Sequence, residues 1–189
     1  MANMFRVVVD TKDLMKLNIH LGAYAKQAPV VVSRALNRAA TTTRSEAVKE
    51  ARNNYYVKAA AVRATFNIRK SSKSRLTASV CSKDGSMPLD KFKFSPNQPR
   101  PKNPPAALKV GAKKPGMKEL RHAFVANING TKIFERTSKK RLPIKRLMGP
   151  PIPRMVGNQK TREVVERKSL ETYEKRLDHE IKRVLEAGK

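Results

Sequence analysis

Residues 123–153 restrict the chain to a narrow set of backbone paths. Ala123-Phe124-Val125-Ala126-Asn127-Ile128 and Thr131-Lys132-Ile133-Phe134-Glu135-Arg136-Thr137 are β-prone runs joined by Asn129-Gly130. Both turn residues tolerate positive φ, which makes this the strongest short hairpin signal. A two-residue turn pairs Ile128 with Thr131, Ala126 with Ile133 and Phe124 with Glu135, and sets Val125 and Phe134 on the opposite side. Both faces of such a hairpin are partly apolar, so it is expected inside a sheet or beneath helices. Lys139, Lys140 and Arg141 follow as a basic tip. Pro143, Pro150, Pro151 and Pro153 then stiffen the chain, with Gly149 as its freely turning position. The stretch has the character of an assembly loop: the hairpin anchors it, Lys139 to Arg146 charge it, and Gly149 to Pro153 direct it.

Proline also organises the rest of the chain. Seven prolines lie between Pro88 and Pro115, where, with Arg100 and Lys102, they predict a basic, extended arm. Around that arm, Lys91-Phe92-Lys93-Phe94 and the run Leu108, Val110, Ala112 alternate as short strands, and Leu76, Ala78 and Val80 alternate with Thr77, Ser79 and Cys81 as a half-buried one. Phe5-Arg6-Val7-Val8-Val9-Asp10 is a further β-prone run, closed by Asp10-Thr11 as helix-capping chemistry.

The N-terminal third is helical in pattern. Leu14, Leu17, Leu21, Tyr24 and Ala28 recur at spacings of three and four, and Pro29 breaks or kinks the run by opening a second helix. That helix carries Val32, Ala35 or Leu36, Ala39, Thr43, Ala47 and Ala51 on a narrow face of small side chains, suited to close packing. Arg34, Arg38, Ser45, Lys49 and Arg52 form a stripe on another face, either a solvated surface or one turned toward DNA or an acidic neighbour. Lys58–Ala64 continues with helix formers, and Asn67–Ser74 is a polar, basic connector. Val165, Tyr173, Leu177, Ile181 and Leu185 mark a terminal helix supported by the i,i+4 pairs Glu171–Lys175 and Asp178–Lys182. The fold class is α+β: long or kinked N-terminal helices packed on a small, mostly antiparallel sheet, a Pro-rich extended arm and a C-terminal helix. Residues 1–160 are expected as one domain carrying the arm 88–115, and residues 161–189 as an amphipathic helix.

Charge defines the partners. The 189 residues hold 42 Lys and Arg against 15 Asp and Glu, a net +27. Residues 1–70 carry 13 basic and 4 acidic side chains, residues 71–160 carry 21 and 4, and residues 161–189 carry 8 and 7. Such an excess exceeds what solubility needs and implies a polyanion or an acidic protein surface. Aromatic residues are 5% of the chain and Trp is absent, so phosphate contact is favoured over base stacking. A single cysteine, Cys81, excludes an internal disulfide and is expected as a small apolar filler. No apolar run reaches the ~20 residues of a membrane helix, and Met1–Arg6 lacks the order of a secretion signal, which predicts an intracellular assembly site and no membrane contact.

Catalytic chemistry has little support. His20, His122 and His179 stand in unrelated contexts and form no metal-ligand spacing with Cys81. Asp84, Asp90, Glu119 and Glu135 are the only acids of residues 71–160, with no close pair to hold a catalytic metal. Neither a phosphate-cradling Gly-rich loop nor a nucleophile elbow occurs. No enzyme activity, metal or cofactor is expected.

Three segments, Ala35-Leu36-Asn37-Arg38-Ala39-Ala40, Ala123-Phe124-Val125-Ala126, and Arg141-Leu142-Pro143-Ile144-Lys145 through Gly149-Pro150-Pro151-Ile152-Pro153, resemble the minor tail protein Z family of lambda-like siphophages and prophages. The likeness runs over most of residues 1–157, and its last segment is the most specific. Met148-Gly149-Pro150-Pro151 stands where the family often has a Tyr-Gly-Pro-Ser-like step, a departure that keeps the loop stiff. These are tail completion proteins. The resemblance implies an α+β subunit that forms a ring, a hexamer, at the head-proximal end of the tail tube in the virion neck. Its implied partners are copies of itself, the tail terminator or tail tube protein, head connector proteins and double-stranded DNA. Lys139, Lys140, Arg141, Lys145 and Arg146, then Arg34, Arg38, Lys49 and Arg52, are the expected contacts to DNA or a neighbouring subunit. Gly149, Pro150, Pro151 and Pro153 are the expected assembly loop. A reading of another class is a free, sequence-nonspecific nucleic-acid-binding protein without a ring role.

Overall fold

The computed structural model describes residues 3–8, 17, 19, 21–83, 85–99 and 107–187. Asp10-Thr11, Leu14, His20, Asp84 and residues 100–106 of the proline-rich arm, which hold Arg100 and Lys102, lie outside the described residues. The α-helices are α1 (Ala28–Asn54), α2 (Ala59–Ala64), α3 (Ile152–Val156) and α4 (Gln159–Ala187). The strands are β1 (Asn3–Val8), β2 (Phe66–Arg69), β3 (Thr77–Ser82), β4 (Ser86–Pro88), β5 (Lys93–Ser95), β6 (Leu108–Gly111), β7 (Lys118–Leu120), β8 (Ala123–Asn127), β9 (Thr131–Arg136), β10 (Ile144–Arg146) and β11 (Met148–Pro151). All the strand pairings are antiparallel, and the architecture is α+β, as expected. The chain forms two compact units, one of Met1–Ala47, Phe66–Lys83 and Gly157–Lys189, the other of Val48–Thr65 and Asp84–Val156.

In the first unit, a 3-10 helix (Gly22–Gln27) runs into α1, so Pro29 falls in the first α-helical turn, where its missing N–H has no partner to lose. The small-residue face is buried as read: Val32, Ala35, Leu36, Ala39, Thr43 and Ala47. Each fully buried Val or Leu there stabilises the fold by about 1.5–3 kcal/mol. α4 runs antiparallel to this part of α1, since Thr43 is hydrogen-bonded to Ser169 and Arg34 to Glu180. The seam is built from small and polar groups, with Thr161, Val165, Ser169, Glu180 and Val184 buried. Of the five apolar residues expected to define the face of α4, only Val165 is buried, and Leu185 is exposed. Glu171 pairs backward with Arg167 and Lys168, and neither Glu171–Lys175 nor Asp178–Lys182 closes.

The sheet of this unit has the order β1-β3-β2. Ala78, Val80 and Ser82 of the central strand are buried and Thr77, Ser79 and Cys81 half-buried, the alternation of a strand with one covered face. Phe5 and Ile68 both lie opposite Val80. The start of the supposed connector Asn67–Ser74 is therefore strand β2, because Phe66 and Ile68 alternate against β3. Ser71 beyond it is also buried, its backbone N–H donating to Asn37 Oδ1 at 2.8 Å and its carbonyl accepting from Asn37 Nδ2 at 3.1 Å.

The second unit begins with the last residues of α1, whose C-terminal carbonyls are capped from Lys114. The Lys114 N–H donates to Asn54 O at 2.8 Å and its Nζ to Arg52 O at 2.7 Å. Two three-stranded sheets, β5-β6-β7 and β10-β9-β8, contribute to one core of Leu108, Val110 and Ile133, against which Leu89, Phe94, Leu120, Val125 and Leu147 pack. The hairpin β8–β9 exists, but its register is one residue from that expected. Asn127 pairs with Thr131, Val125 with Ile133 and Phe124 with Phe134, leaving three residues in the loop. Asn129 and Gly130 take φ of 51° and 97°, while Asn127 Oδ1 accepts from the Gly130 N–H at 3.2 Å. This register puts Ile133 in the core and sets the Phe124 and Phe134 rings together with centroids 6.2 Å apart. The expected one would put Phe124 opposite a carboxylate. A one-residue slip exchanges the faces of a strand, so apolar burial decides.

Candidate nucleic-acid interface

The basic cluster of the second unit separates into two kinds of side chain. Residues 137–143 form a tight turn beyond β9, tied by Thr137, whose N–H and hydroxyl both donate to Pro143 O. Arg136 donates to Arg141 O at 2.8 Å and lies over the Phe124 ring at 5.2 Å. This scaffold projects Lys139, Lys140 and Arg141 into solvent, where their side chains meet no carboxylate among the described residues. Lys145 and Arg146, by contrast, point to acids. Lys145 faces Glu135 across the β9–β10 pair at 3.7 Å. Arg146 grips Asp90 as a fork, with Nη2 2.8 and 2.9 Å from the two carboxylate oxygens and Nε 3.0 Å from Oδ1. The Asp90 side chain is 6% exposed, so this fork joins the 3-10 turn Leu89–Lys91 to β10 inside the unit.

Gly149 to Pro153 is more structured than a stiff loop. Met148–Pro151 is strand β11, paired with β4, with a register shift between Met148 and Pro151. A two-stranded ribbon leaves each strand one free edge, where a proline costs no ladder hydrogen bond, and the short, register-shifted β4–β11 pair accommodates Pro88, Pro150 and Pro151. Gly149 is not the turning point. A Cβ there would stand 2.8 Å from Phe92 Cε2 and 3.0 Å from Leu89 Cδ2, so glycine serves close approach. Pro150 and Pro151 are half-buried, while Pro153 is buried in the first turn of α3. Leu142 and Met148 are the exposed large apolar side chains of this stretch, at 64% and 49%.

The helix stripe divides between the units. Lys49 and Arg52 are exposed on the part of α1 that belongs to the second unit, and Arg34 and Arg38 belong to the first. Arg34 and Arg38 line a hollow of about 540 Å³ with Asn37, Thr41, Lys70, Arg176, Glu180 and Arg183. Glu180 is fully buried at its base. Arg176 Nη2 lies 2.6 Å from it, Arg34 Nη1 3.2 Å and Arg183 Nη1 3.7 Å. Burial works against its charged form, but the hydrogen bond from Arg34 and the charges of Arg176 and Arg183 outweigh it. The carboxyl is thus held below its ordinary pKa. Sequence reading found Arg34 and Arg38 but missed Glu180, Lys70, Arg176 and Arg183. The one available signal was local, an Arg176–Glu180–Arg183 spacing that stacks three charges on one face of a helix.

Among the described residues no group of three or more His, Cys, Asp or Glu could hold a metal ion, and no helix is long and apolar enough to cross a membrane. What the fold presents is a basic α+β protein with two exposed cationic surfaces and short, proline-edged strands. The family model of prophage minor tail protein Z matches residues 18–187, and the chain belongs to that family. It is accordingly a structural component of a phage tail. No curated protein and no solved structure matches it.

Proposed function

We propose that this tail protein completes the tail by forming a ring, a hexamer, at the head-proximal end of the tube. One side of the ring meets the tail terminator or tube protein and the other the head connector proteins, and the basic surface lets genomic DNA pass. The role is structural and needs no catalysis or cofactor. The observation that carries the DNA contact is the tip Lys139-Lys140-Arg141, held out by its own hydrogen-bonded turn and facing no acid among the described residues. Phosphate attraction without base readout is what a channel needs if every sequence is to slide equally well. Subunit contact is supported by exposed Leu142 and Met148 beside the half-buried Pro150 and Pro151. Residues 161–189, with 8 basic and 7 acidic side chains, offer a neighbour a less repulsive surface than the rest of the chain.

Light scattering on the purified chain, alone and with tail tubes, tests this. Ring-sized species that bind tubes are expected, and the double variant Pro150→Ala/Pro151→Ala should stay folded yet bind tubes less, having lost backbone stiffness. A chain that stays monomeric, ignores tubes and still binds duplex DNA would instead be a free nucleic-acid-binding protein.

A further inference from the structure

We propose that the hollow between α1 and α4 is an oxyanion site that takes a phosphate group, gripped by Arg38 and Lys70. Five cations, Arg34, Arg38, Lys70, Arg176 and Arg183, line it against the single carboxylate of Glu180. Arg34, Arg176 and Arg183 converge on that carboxylate. A carboxylate offers about four acceptor positions and a guanidinium about five donors, so most of their N–H groups stay unused. Arg38 and Lys70 make no side-chain hydrogen bond or ion pair among the described residues. Four positive charges are thus left uncompensated around about 540 Å³, an arrangement that repels itself until an anion enters.

The site is also preorganised. Arg38 lies one turn from Arg34 on α1, whose opposite face is packed in the core. The backbone that carries Lys70 is held in place, because the paired hydrogen bonds of Asn37 grip the adjacent Ser71. Asn37 and Thr41 complete a polar lining. Orthophosphate carries more charge than a carboxylate, and both it and a phosphodiester present oxygens that match guanidinium forks, which suits an excess of four cations. Glu180 is a positioning residue: it orients three guanidiniums and lets the hollow stay open when empty.

Free orthophosphate and a DNA phosphodiester share this chemistry, and only the second source rests on the function proposed above. The full-length chain is melted in sodium phosphate and in sodium chloride of equal ionic strength, alongside the double variant Arg38→Gln/Lys70→Gln. Wild type should melt higher in phosphate, and the variant, relieved of two repelling charges, should melt no lower than wild type in chloride but lose the phosphate shift. Equal shifts in both proteins, or none in wild type, overturn the proposal. Should the variant melt lower in chloride, titration calorimetry of orthophosphate with Lys70→Gln alone decides, unchanged affinity overturning the proposal. In parallel, binding of a 20-bp duplex is measured against salt. A slope shallower by about 0.9 in the double variant, the loss of one phosphate contact, assigns the site to the DNA backbone. An unchanged slope with the phosphate shift lost assigns it to free phosphate. A variant of the Lys139–Arg141 tip in the same assay reports on the DNA reading separately.

Discussion

Glu180 shows how much one buried acid can hold in a chain this basic. Its side chain is 0% exposed and three arginines reach it from two helices. Removing the charge leaves those guanidiniums crowded without their anchor. They are 38–51% exposed, however, so water screens them and the loss is nearer that of hydrogen bonds to a charged group, about 1.5–3 kcal/mol. Glu180→Gln should therefore lower the unfolding free energy by about 2 kcal/mol, read from the midpoint of urea denaturation at neutral pH. The effect should depend on pH in a set direction. The folded pKa lies below the unfolded one, so the stabilisation is present above the unfolded carboxylate value of about 4.3 and lost as pH falls through the folded value. The gap between wild type and Glu180→Gln should stay constant from pH 7 to about 5 and close below about 4. A gap that persists into acid would mean that the carboxylate contributes through packing rather than charge.

At the scale of elements, the sequence was most legible where one period dominates. The small-residue face of α1, the entry of Pro29 into its first turn and the alternation of Thr77–Ser82 all follow from spacing and backbone sterics. It was least legible where partners are remote. Glu180 finds Arg34 across 146 residues and Asp90 finds Arg146 across 56, and no local pattern announces either pair. The β8–β9 hairpin lies between these cases, since Asn129-Gly130 locates the turn while the core sets the register. A double-mutant cycle can read that register. Phe124→Ala and Phe134→Ala should show a coupling of about 1 kcal/mol, as aromatic pairs do, and Phe124→Ala with Glu135→Ala almost none. Strands β10 and β11 went unread because proline density suggested a loop, whereas the prolines of β11 lie in a two-stranded ribbon.

For the whole molecule, the net +27 sets how binding should respond to salt. Each phosphate contact steepens the log–log slope for duplex DNA by about 0.9. The triple variant Lys139→Ala/Lys140→Ala/Arg141→Ala should flatten that slope by up to about 2.7, equally for unrelated sequences, whereas Lys145→Ala should change it little because Lys145 already faces Glu135. Loss of affinity for one sequence alone would point to base readout instead. The Asp90 fork and the Glu180 hub also carry an evolutionary consequence. With 42 cations against 15 acids, most single losses of a lysine or arginine remove one of many similar charges. Even at Glu180, losing one arginine leaves two behind. Losing Asp90 or Glu180 removes a buried carboxylate that ties elements together, and among the described residues no other acid stands in for it. Mutational intolerance in this strongly basic protein should thus concentrate in its rare acids, the reverse of what its charge alone suggests.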